Sequence, residues 1–292
     1  MRPLRTENPV YSGFERYATM LERQLNAGEQ HHGVVAWFLA VGPVVLATVI
    51  IYYALQAVSP ALAWFWSVAI LYLTMGFRQF SHYFTEIIHA LRADDIAAAR
   101  ATLGPWRGQS ADEFTPPEIA RVSIEFALVG SHRHVFGPIA SFLVLGPAGP
   151  MLYRASAILA EKWGRSRDPE LGDFGRFAQK FFYWFDWLPA RLTALSFAIV
   201  GNFEDAIYCW RMQALAWARG AHGLILASGG GAIGVRLGNP VHQGGSMQFR
   251  PELGIGDEAD VDYMQSAVGL IWRALVLWMF LMFVVTVAHS LG

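Results

Sequence analysis

The sequence predicts an all-α, polytopic membrane protein with about four to five membrane segments, amphipathic cytoplasmic helices and one glycine-rich loop. Of its 292 residues, 54% are hydrophobic and only 15% are charged, which is too apolar for an ordinary soluble domain of this length. Several uncharged stretches approach the roughly 20 residues that a helix needs to cross a bilayer. The formal net charge of −1 argues against a nucleic-acid partner.

Three segments have the composition of membrane helices. Residues 34–58 and 61–77 carry no charged side chain, and the Ser59-Pro60 step separates them. Residues 268–289 are apolar apart from Arg273 and His289, and the long arginine side chain can extend to the membrane interface. The lipid bilayer is therefore the first partner that the sequence predicts.

Two further apolar segments, residues 135–153 and 181–201, contain residues that interrupt a membrane helix. These residues are Pro138, Pro147, Pro150, Asp186, Pro189 and Arg191. Prolines and charges of this kind predict broken or re-entrant membrane segments.

The distribution of arginine predicts the orientation. The N-terminal arm, which includes Arg2 and Arg5, and residues 78–133 are rich in arginine, so both are expected in the cytoplasm. Residues 154–180 are equally basic and lie on the same side only if residues 135–153 do not cross. The prediction is a multi-pass protein of the bacterial inner membrane, with its topology after residue 135 open.

Turn and cap signals predict the elements between these segments. Residues 78–103 are predicted to be helical, with Asp94 as the N-cap of a second short helix over 95–103. A further helix is predicted from Pro116 to about Val129. Within residues 204–260 the sequence predicts an amphipathic helix over 204–219 and a glycine-rich loop over 228–255.

The glycine-rich segment contains a G-x-G-x-x-G match at residues 229–234. A dinucleotide site needs a strand before this pattern, a helix after it and an acidic residue about twenty positions on. Gly238-Asn239-Pro240 interrupts the chain where that helix should run, so a glycine loop of another kind is favoured.

Two histidine groups are candidates for metal sites. His82, Glu86 and His89 share one helical face, but no fourth ligand is evident nearby, which favours a polar helix face. His132 and His134 flank Arg133, whose positive charge disfavours a bound cation. We therefore assign no metal site from the sequence.

Arg191 lies inside an apolar run, where an arginine needs a partner. Asp186 is near it in sequence, which permits a structural ion pair. The alternative is an anion-binding residue at the end of a broken helix. Both interpretations stay open.

Several motifs together resemble one family. They are Asn8-Pro9-Val10, "RADDIAAAR" at 92–100, Tyr153-Arg154-Ala155, "FDWLPARLTA" at 185–194 and "GAIGVRLGNPVHQGGSMQFRPELG" at 231–254. With these motifs the sequence resembles the CobD/CbiB family of cobalamin-biosynthesis membrane proteins and the related inner-membrane protein AmpE. The family carries a membrane segment before its His-Pro-Val motif, so we expect the natural reading frame to begin upstream of Met1.

The resemblance implies an ATP-dependent amide ligation that joins aminopropanol, or its phosphate, to cobyric acid, with acidic residues holding magnesium. The sequence departs from the family at these acidic motifs. The substituted positions are Gly108-Gln109-Ser110-Ala111 for Gly-Arg-Asp-Thr, Val129-Gly130 for Glu-Asn, Arg133 for Asp, residues 157–161 for Asn-Thr-Leu-Asp-Ser, and Phe182-Tyr183 for Asp-Asp.

These losses predict a divergent family member without ligase activity, in an AmpE-like regulatory or ligand-binding role that requires no cofactor. The expected partners are a corrinoid or other anionic small ligand and a membrane protein. The residues expected to bind the ligand are Arg133, Arg191, Gly229, Gly231, Gly234, Arg236 and Gly238.

The alternative is an active ligase that uses ATP and Mg²⁺. Its catalytic candidates are Glu125 and Arg191, with Asp112, Glu113 or Glu161 as the replacement acid. A transporter is a third hypothesis, which depends on the buried arginine and the broken segments.

Overall fold

The computed structural model describes residues 9–26, 28–164, 173–217 and 220–291. Arg2, Arg5 and Asn8, which the sequence analysis used, lie outside the described residues. The chain divides into two compact units. Of the described residues, the first unit contains those of 9–75 and 137–189, and the second contains those of 76–136 and 190–291.

Helices make up most of the described chain. In order they are α1 (Pro9–Leu25), α2 (Gln30–Val58), α3 (Pro60–Thr74), α4 (Phe77–Arg92), α5 (Ile96–Arg107), α6 (Pro116–Ser131), α7 (Gly137–Leu145), α8 (Ala148–Gly164), α9 (Arg176–Phe185), α10 (Trp187–Val200), α11 (Phe203–Gln213), α12 (Gly220–Ile233) and α13 (Val261–Leu291). The strands are β1 (Arg236–Leu237), β2 (Val241–Gln243), β3 (Ser246–Gln248) and β4 (Leu253–Gly254).

Two of the described helices are long and apolar enough to cross a membrane, namely α2 over its whole length and α13 over Val261–Val284. Only 28% of each apolar stretch is buried. Large apolar side chains such as Phe38 and Ile50 on α2 and Phe280 on α13 are exposed. A lipid environment accounts for such long exposed apolar surfaces, which supports the membrane character predicted from the sequence. The count of four to five membrane segments stays a prediction.

Proline and glycine set several helix boundaries. Ser59 is extended, with φ −161°, and Pro60 opens α3 at its first turn, where the missing N–H costs nothing. The predicted segment over 61–77 is thus a helix of 15 residues. The segment over 135–153 is divided at Gly146, which has φ +59°, and that over 181–201 is divided at Asp186.

Aromatic packing holds the first unit together. The Trp37 ring on α2 lies 5.5 Å from that of Phe177 and 4.3 Å from that of Phe181. Trp163 on α8 lies 5.1 Å from Phe174. A Cβ on Gly33 would lie 1.9 Å from the Phe174 carbonyl oxygen, so only glycine allows α2 to approach this close.

Helix α6 is central in the second unit, where it contacts α4, α5, α12, α13 and β1. The strands form two antiparallel pairs, β1 with β4 and β2 with β3. The β2–β3 turn uses Gly244 and Gly245 at φ +61° and +71°, as a two-residue hairpin turn requires. The predicted helical fold is confirmed, and these short strands of two or three residues are the part that the all-α prediction missed.

The predicted glycine-rich loop is wrong at its start. Residues 228–233 belong to α12. Neighbouring elements approach this helix so closely that its glycines leave no space for larger side chains. The irregular part begins at Gly234, which has φ +71° and ends the helix as a left-handed glycine does.

Three other predicted boundaries shift. Asp95, rather than Asp94, caps α5 and accepts from the Ala98 N–H at 2.9 Å. Helix α5 continues through Gly104-Pro105 to Arg107 and stops at Gly108, which has φ +73°. Helix α11 ends at Gln213 and gives way to a 3₁₀ turn, Ala214–Ala216.

Candidate functional site

Helix α6 carries three buried charged side chains on one side. Glu118, Arg121 and Glu125 are 5%, 4% and 5% exposed, and spacings of three and four residues bring them onto one helical face. The helix begins with a capping box, in which Glu118 Oε2 accepts from the N–H of Thr115 at 2.8 Å and from its hydroxyl at 2.9 Å. The same carboxylate that starts the helix therefore belongs to the buried cluster.

The segment from Gly238 to Arg250 covers this face. The Gly238 N–H donates to Glu125 Oε1 at 2.9 Å, and Arg250 donates to Oε2 of the same carboxylate. Arg121 Nη2 donates to the Pro240 carbonyl at 2.8 Å. His242 contacts Glu118 Oε1 with its N–H at 3.0 Å and its ring Nδ1 at 2.9 Å. The three buried charges on α6 thus hold four residues of the segment, two of them through Glu125.

Gly238 has to be glycine in this arrangement. Its φ is +74°, and a Cβ would lie 1.9 Å from the carbonyl oxygen of Pro251. The left-handed conformation turns its N–H toward Glu125, and L side chains rarely adopt it. The close approach to Pro251 adds a second constraint on the same residue.

Three arginines interact electrostatically with the Glu125 carboxylate. Burial lowers the pKa of Arg107 and of Arg121, and repulsion from Arg250 lowers both further, while Glu125 acts in the opposite direction. An arginine stays protonated despite such shifts. Arg121 is also attracted by the buried Glu118 and by Glu258, which is exposed.

Aromatic rings support two of these arginines. The Arg107 guanidinium lies 4.8 Å from the Phe114 ring centroid, and that of Arg250 lies 5.1 Å from the Trp217 ring. Cation–π contacts of this kind stabilise partly desolvated guanidiniums. Arg121 differs, because its Nε is buried and has no hydrogen-bond partner in the described part of the chain.

Glu118 is ionised in this cluster. Burial alone would raise the pKa of its carboxyl, but the hydrogen bonds from Thr115 and His242 outweigh burial and bring the pKa below its ordinary value. A carboxylate that accepts several hydrogen bonds is stabilised in its charged form.

Of the site residues predicted from the sequence, Glu125 and Gly238 are in direct contact. Gly229 and Gly231 are buried within α12 and serve packing. A Cβ on Gly229 would lie 2.8 Å from a methyl of Leu128, and one on Gly231 would lie 2.5 Å from the Asp205 carbonyl oxygen. Gly234 forms the turn after α12.

The three predicted arginines lie on different elements. Arg236 is exposed on β1, Arg191 is half-buried on α10, and Arg133 is half-buried in a π-helical turn, His132–Phe136. In that turn His132 is 1% exposed, and its Nδ1 lies 2.9 Å from Thr193 Oγ1. Asp186, the expected partner of Arg191, accepts from the Tyr153 hydroxyl at 2.7 Å.

Sequence reasoning missed Arg107, Arg121, Arg250, Glu118 and His242. A signal was present in the spacing of Glu118, Arg121 and Glu125, because charges that recur at three and four residues on an otherwise apolar helix are buried together. Their partners on the covering segment lie 113 to 125 residues away in sequence, so no local pattern identifies them.

The sequence profile of the family described as CobD/Cbib protein matches residues 3–271. The chain belongs to this family. It is 32% identical over 270 residues to the cobalamin biosynthesis protein CobD of Stutzerimonas stutzeri, covering 91% of this chain and 87% of the relative. It is 35% identical to CobD of Chromobacterium violaceum over 72% of this chain and 67% of the relative.

A more distant relative is CobD of Mycobacterium tuberculosis, which is 28% identical over 63% of this chain and 60% of its own length. No solved structure matches the chain. The comparisons confirm the resemblance to the CobD/CbiB family that the sequence motifs indicated.

A magnesium ion with ATP does not fit the buried carboxylates of this CobD/CbiB-family chain. Magnesium requires near-octahedral oxygen ligands. Both oxygens of Glu118 and of Glu125 already accept hydrogen bonds from the chain itself. Two of the candidate replacement acids are exposed and hydrogen-bonded, since Asp112 accepts from Ser110 at 2.6 Å and Glu113 from the Gly245 N–H at 3.0 Å. The third, Glu161, lies on α8 in the first unit.

The family's Gly-Arg-Asp-Thr position, here residues 108–111, borders an open cavity of about 510 Å³. Arg100, Gly104, Ser110 and Asp112 also line it. Arg100 donates from Nε to the Phe114 carbonyl at 2.9 Å, and this hydrogen bond fixes the side chain in the wall of the cavity.

Proposed function

We propose that this chain is a CobD/CbiB-family protein of the bacterial inner membrane that lacks ligase activity and binds an anionic small ligand in an AmpE-like regulatory role. The observation that carries the proposal is that both oxygens of the Glu125 carboxylate are hydrogen-bonded within the chain. They already accept from the Gly238 N–H and from Arg250, so a magnesium ion would have to compete with these contacts.

The arginines that interact with Glu125 support an anionic ligand. They are Arg107, Arg121 and Arg250, and Arg121 Nε is buried without a hydrogen-bond partner in the described residues. Guanidinium groups bind carboxylate and phosphate with paired N–H donors. A corrinoid with acidic side chains or a phosphate has this chemistry, and Arg133, Arg191 and Arg236 are further candidates for its recognition.

The two long apolar helices support a multi-pass arrangement. Helices α2 and α13 each have the length of a membrane span, and the arginine-rich segment over 78–133 is expected in the cytoplasm. In this arrangement the charge cluster on α6 faces the cytoplasmic side, where a membrane protein partner would receive the regulatory signal.

Growth complementation tests the loss of ligase activity. The gene is expressed in a strain that lacks the cobinamide-forming step and is supplied with cobyric acid. We expect no growth, whereas CobD of Stutzerimonas stutzeri restores growth in the same vector. Purified protein with ATP, Mg²⁺, cobyric acid and aminopropanol is expected to show no ATP turnover. Restored growth together with turnover would overturn the proposal.

The alternative is an active adenosylcobinamide-phosphate synthase, which is compatible with relatives named as cobalamin biosynthesis proteins. It would need ATP and Mg²⁺ together with Glu125 and Arg191. The unaltered chain separates the two functions, because an active enzyme turns over ATP while a binding protein binds its ligand without turnover.

Ligand binding is tested with cobyric acid and cobinamide phosphate as coloured probes in equilibrium dialysis. We expect binding that Arg121→Met weakens and that Arg211→Met, at an exposed position on α11, leaves unchanged. Equal effects of the two substitutions, or no binding by the unaltered chain, would contradict the ligand-binding role.

A further inference from the structure

The start of α2 brings three metal-ligating side chains together. One ligand atom from each of Glu29, His31 and His32 lies within 4.8 Å of the other two. Glu29 is the N-cap residue of α2, but its carboxylate makes no capping hydrogen bond. Its Oε2 lies instead 2.9 Å from Nδ1 of His31. The carboxylate is therefore directed toward the histidines rather than toward the helix.

His32 completes the group. Its ring centroid lies 3.8 Å from that of His31. Its Nδ1 is buried and has no hydrogen-bond partner within the described chain. A buried polar atom without a partner costs free energy unless a ligand satisfies it. The lone pair of an imidazole nitrogen is suited to a metal ion.

Two imidazoles and one carboxylate form a ligand set that binds zinc and related divalent ions. Tetrahedral zinc holds its donor atoms about 3.3 Å apart, so the group has to contract slightly. The Glu29 and His31 side chains are 69% and 66% exposed, which leaves them free to rotate. Glu29 also offsets the positive end of the α2 dipole.

We infer that Glu29, His31 and His32 bind one divalent transition-metal ion of the zinc type, with water at the remaining positions. The site lies outside the charge cluster on α6, and the inference does not depend on the proposed function. Gly28, beside Glu29, accepts a hydrogen bond from the Asp173 N–H at 3.1 Å. A bound ion would therefore fix the start of α2 where it meets residues 173 and 174 in the first unit.

Zinc titration of the full chain tests the inference. The protein is purified in detergent without a histidine tag, stripped with a chelator and titrated with Zn²⁺ at constant neutral pH. We expect one ion per chain. Glu29→Gln, His31→Asn and His32→Asn are each expected to weaken binding about tenfold or more, since losing even an outer partner of a metal ligand costs that much. With Co²⁺, the unaltered chain is expected to show the visible absorption of nitrogen ligation.

A matched control exists on α4. His82 Nε2 lies 3.2 Å from Glu86 Oε1, and this pair is also exposed, but in the described residues it has no third ligand close enough to complete a group. His82→Asn should leave zinc binding unchanged. Zinc binding that is equally tight in the triple variant of Glu29, His31 and His32, or that falls as much in His82→Asn, would overturn the inference. Circular dichroism confirms that each variant retains its helices, and the two exposed positions allow the test even if His32→Asn unfolds.

Discussion

Glu125 on α6 accepts a hydrogen bond at 2.9 Å from the backbone N–H of Gly238, which is 113 residues further along the chain. Arg250 holds the other oxygen of the same carboxylate. These two contacts attach the segment that covers α6. They occupy both oxygens of Glu125, the acidic residue of the family motif that is still present in this sequence. The attachment of this segment and the occupation of both carboxylate oxygens therefore depend on the same residue.

Glu125→Gln should destabilise the second unit. The substitution leaves Arg250 and Arg121 near a neutral amide, and breaking a buried ion pair by removing one partner costs about 3 kcal/mol or more. Thermal unfolding in detergent measures the loss. Glu113→Gln is the control, because Glu113 also accepts from a glycine N–H but is exposed, and a change below about 1 kcal/mol is expected there. Equal losses at the two positions would contradict the prediction.

Gly238→Ala should be much more damaging than Gly244→Ala. Both residues have positive φ, +74° and +61°, but a Cβ at Gly238 would lie 1.9 Å from a backbone oxygen, whereas nothing lies within 4 Å of one at Gly244. Gly244→Ala should cost about 1 to 2 kcal/mol for the left-handed backbone alone. Gly238→Ala adds the steric overlap and displaces the N–H from Glu125. Limited proteolysis after Arg250 compares the two variants, and similar cleavage rates would contradict the steric argument.

The sequence predicted the elements whose signals are local. The uncharged run over 34–58 corresponds to α2, and Pro116 opens α6 as expected. Asp94 and Asp95 have the same intrinsic preference for the helix-cap position, so the sequence alone does not distinguish them. The backbone distinguishes them, since Asp94 has a φ of +56°.

The rest depends on contacts between distant parts of the chain. Gly229 and Gly231 are typical of a loop by propensity, yet they lie in a helix. They are glycines there because Leu128 and Asp205 approach them closely. Likewise, nothing local connects Arg250 with Glu125. The apolar runs in the sequence predict a membrane protein, whereas the candidate site is recognisable only from the tertiary packing.

Glycines in helices provide a test of this packing. Gly231→Ala should destabilise the protein more than Gly229→Ala, because the obstacle at Gly231 is the Asp205 backbone at 2.5 Å, while at Gly229 it is the flexible end of Leu128 at 2.8 Å. Gly269→Ala in α13 meets nothing within 4 Å and should stabilise its helix by about 1 kcal/mol. If Gly231→Ala matched Gly269→Ala in thermal unfolding, the close packing of α12 on α11 would be disproved.

Cys209 should not react in the folded protein. It is fully buried, and burial together with Asp205 raises the pKa of its thiol to about 11, so little thiolate forms at about pH 8. Iodoacetamide followed by mass spectrometry should give no adduct before unfolding and one adduct afterwards, because the sequence has a single cysteine. Rapid alkylation of the folded chain would contradict the burial of α11 against α12.

Glu118 makes the stability of the second unit depend on pH in one direction. Its pKa lies below the ordinary value of 4.5 because the hydrogen bonds from Thr115 and His242 outweigh the effect of burial. The folded state therefore binds this proton less readily than the unfolded state, so the stabilisation is complete above about pH 5 and is lost as the pH falls through the folded pKa. Glu118→Gln removes this component. Unfolding of both proteins in detergent from about pH 7 to about pH 3 should show the unaltered chain more stable at neutral pH, with a difference that shrinks in acid. A difference that grows as the pH falls would mean that burial, and not hydrogen bonding, determines the charge of Glu118.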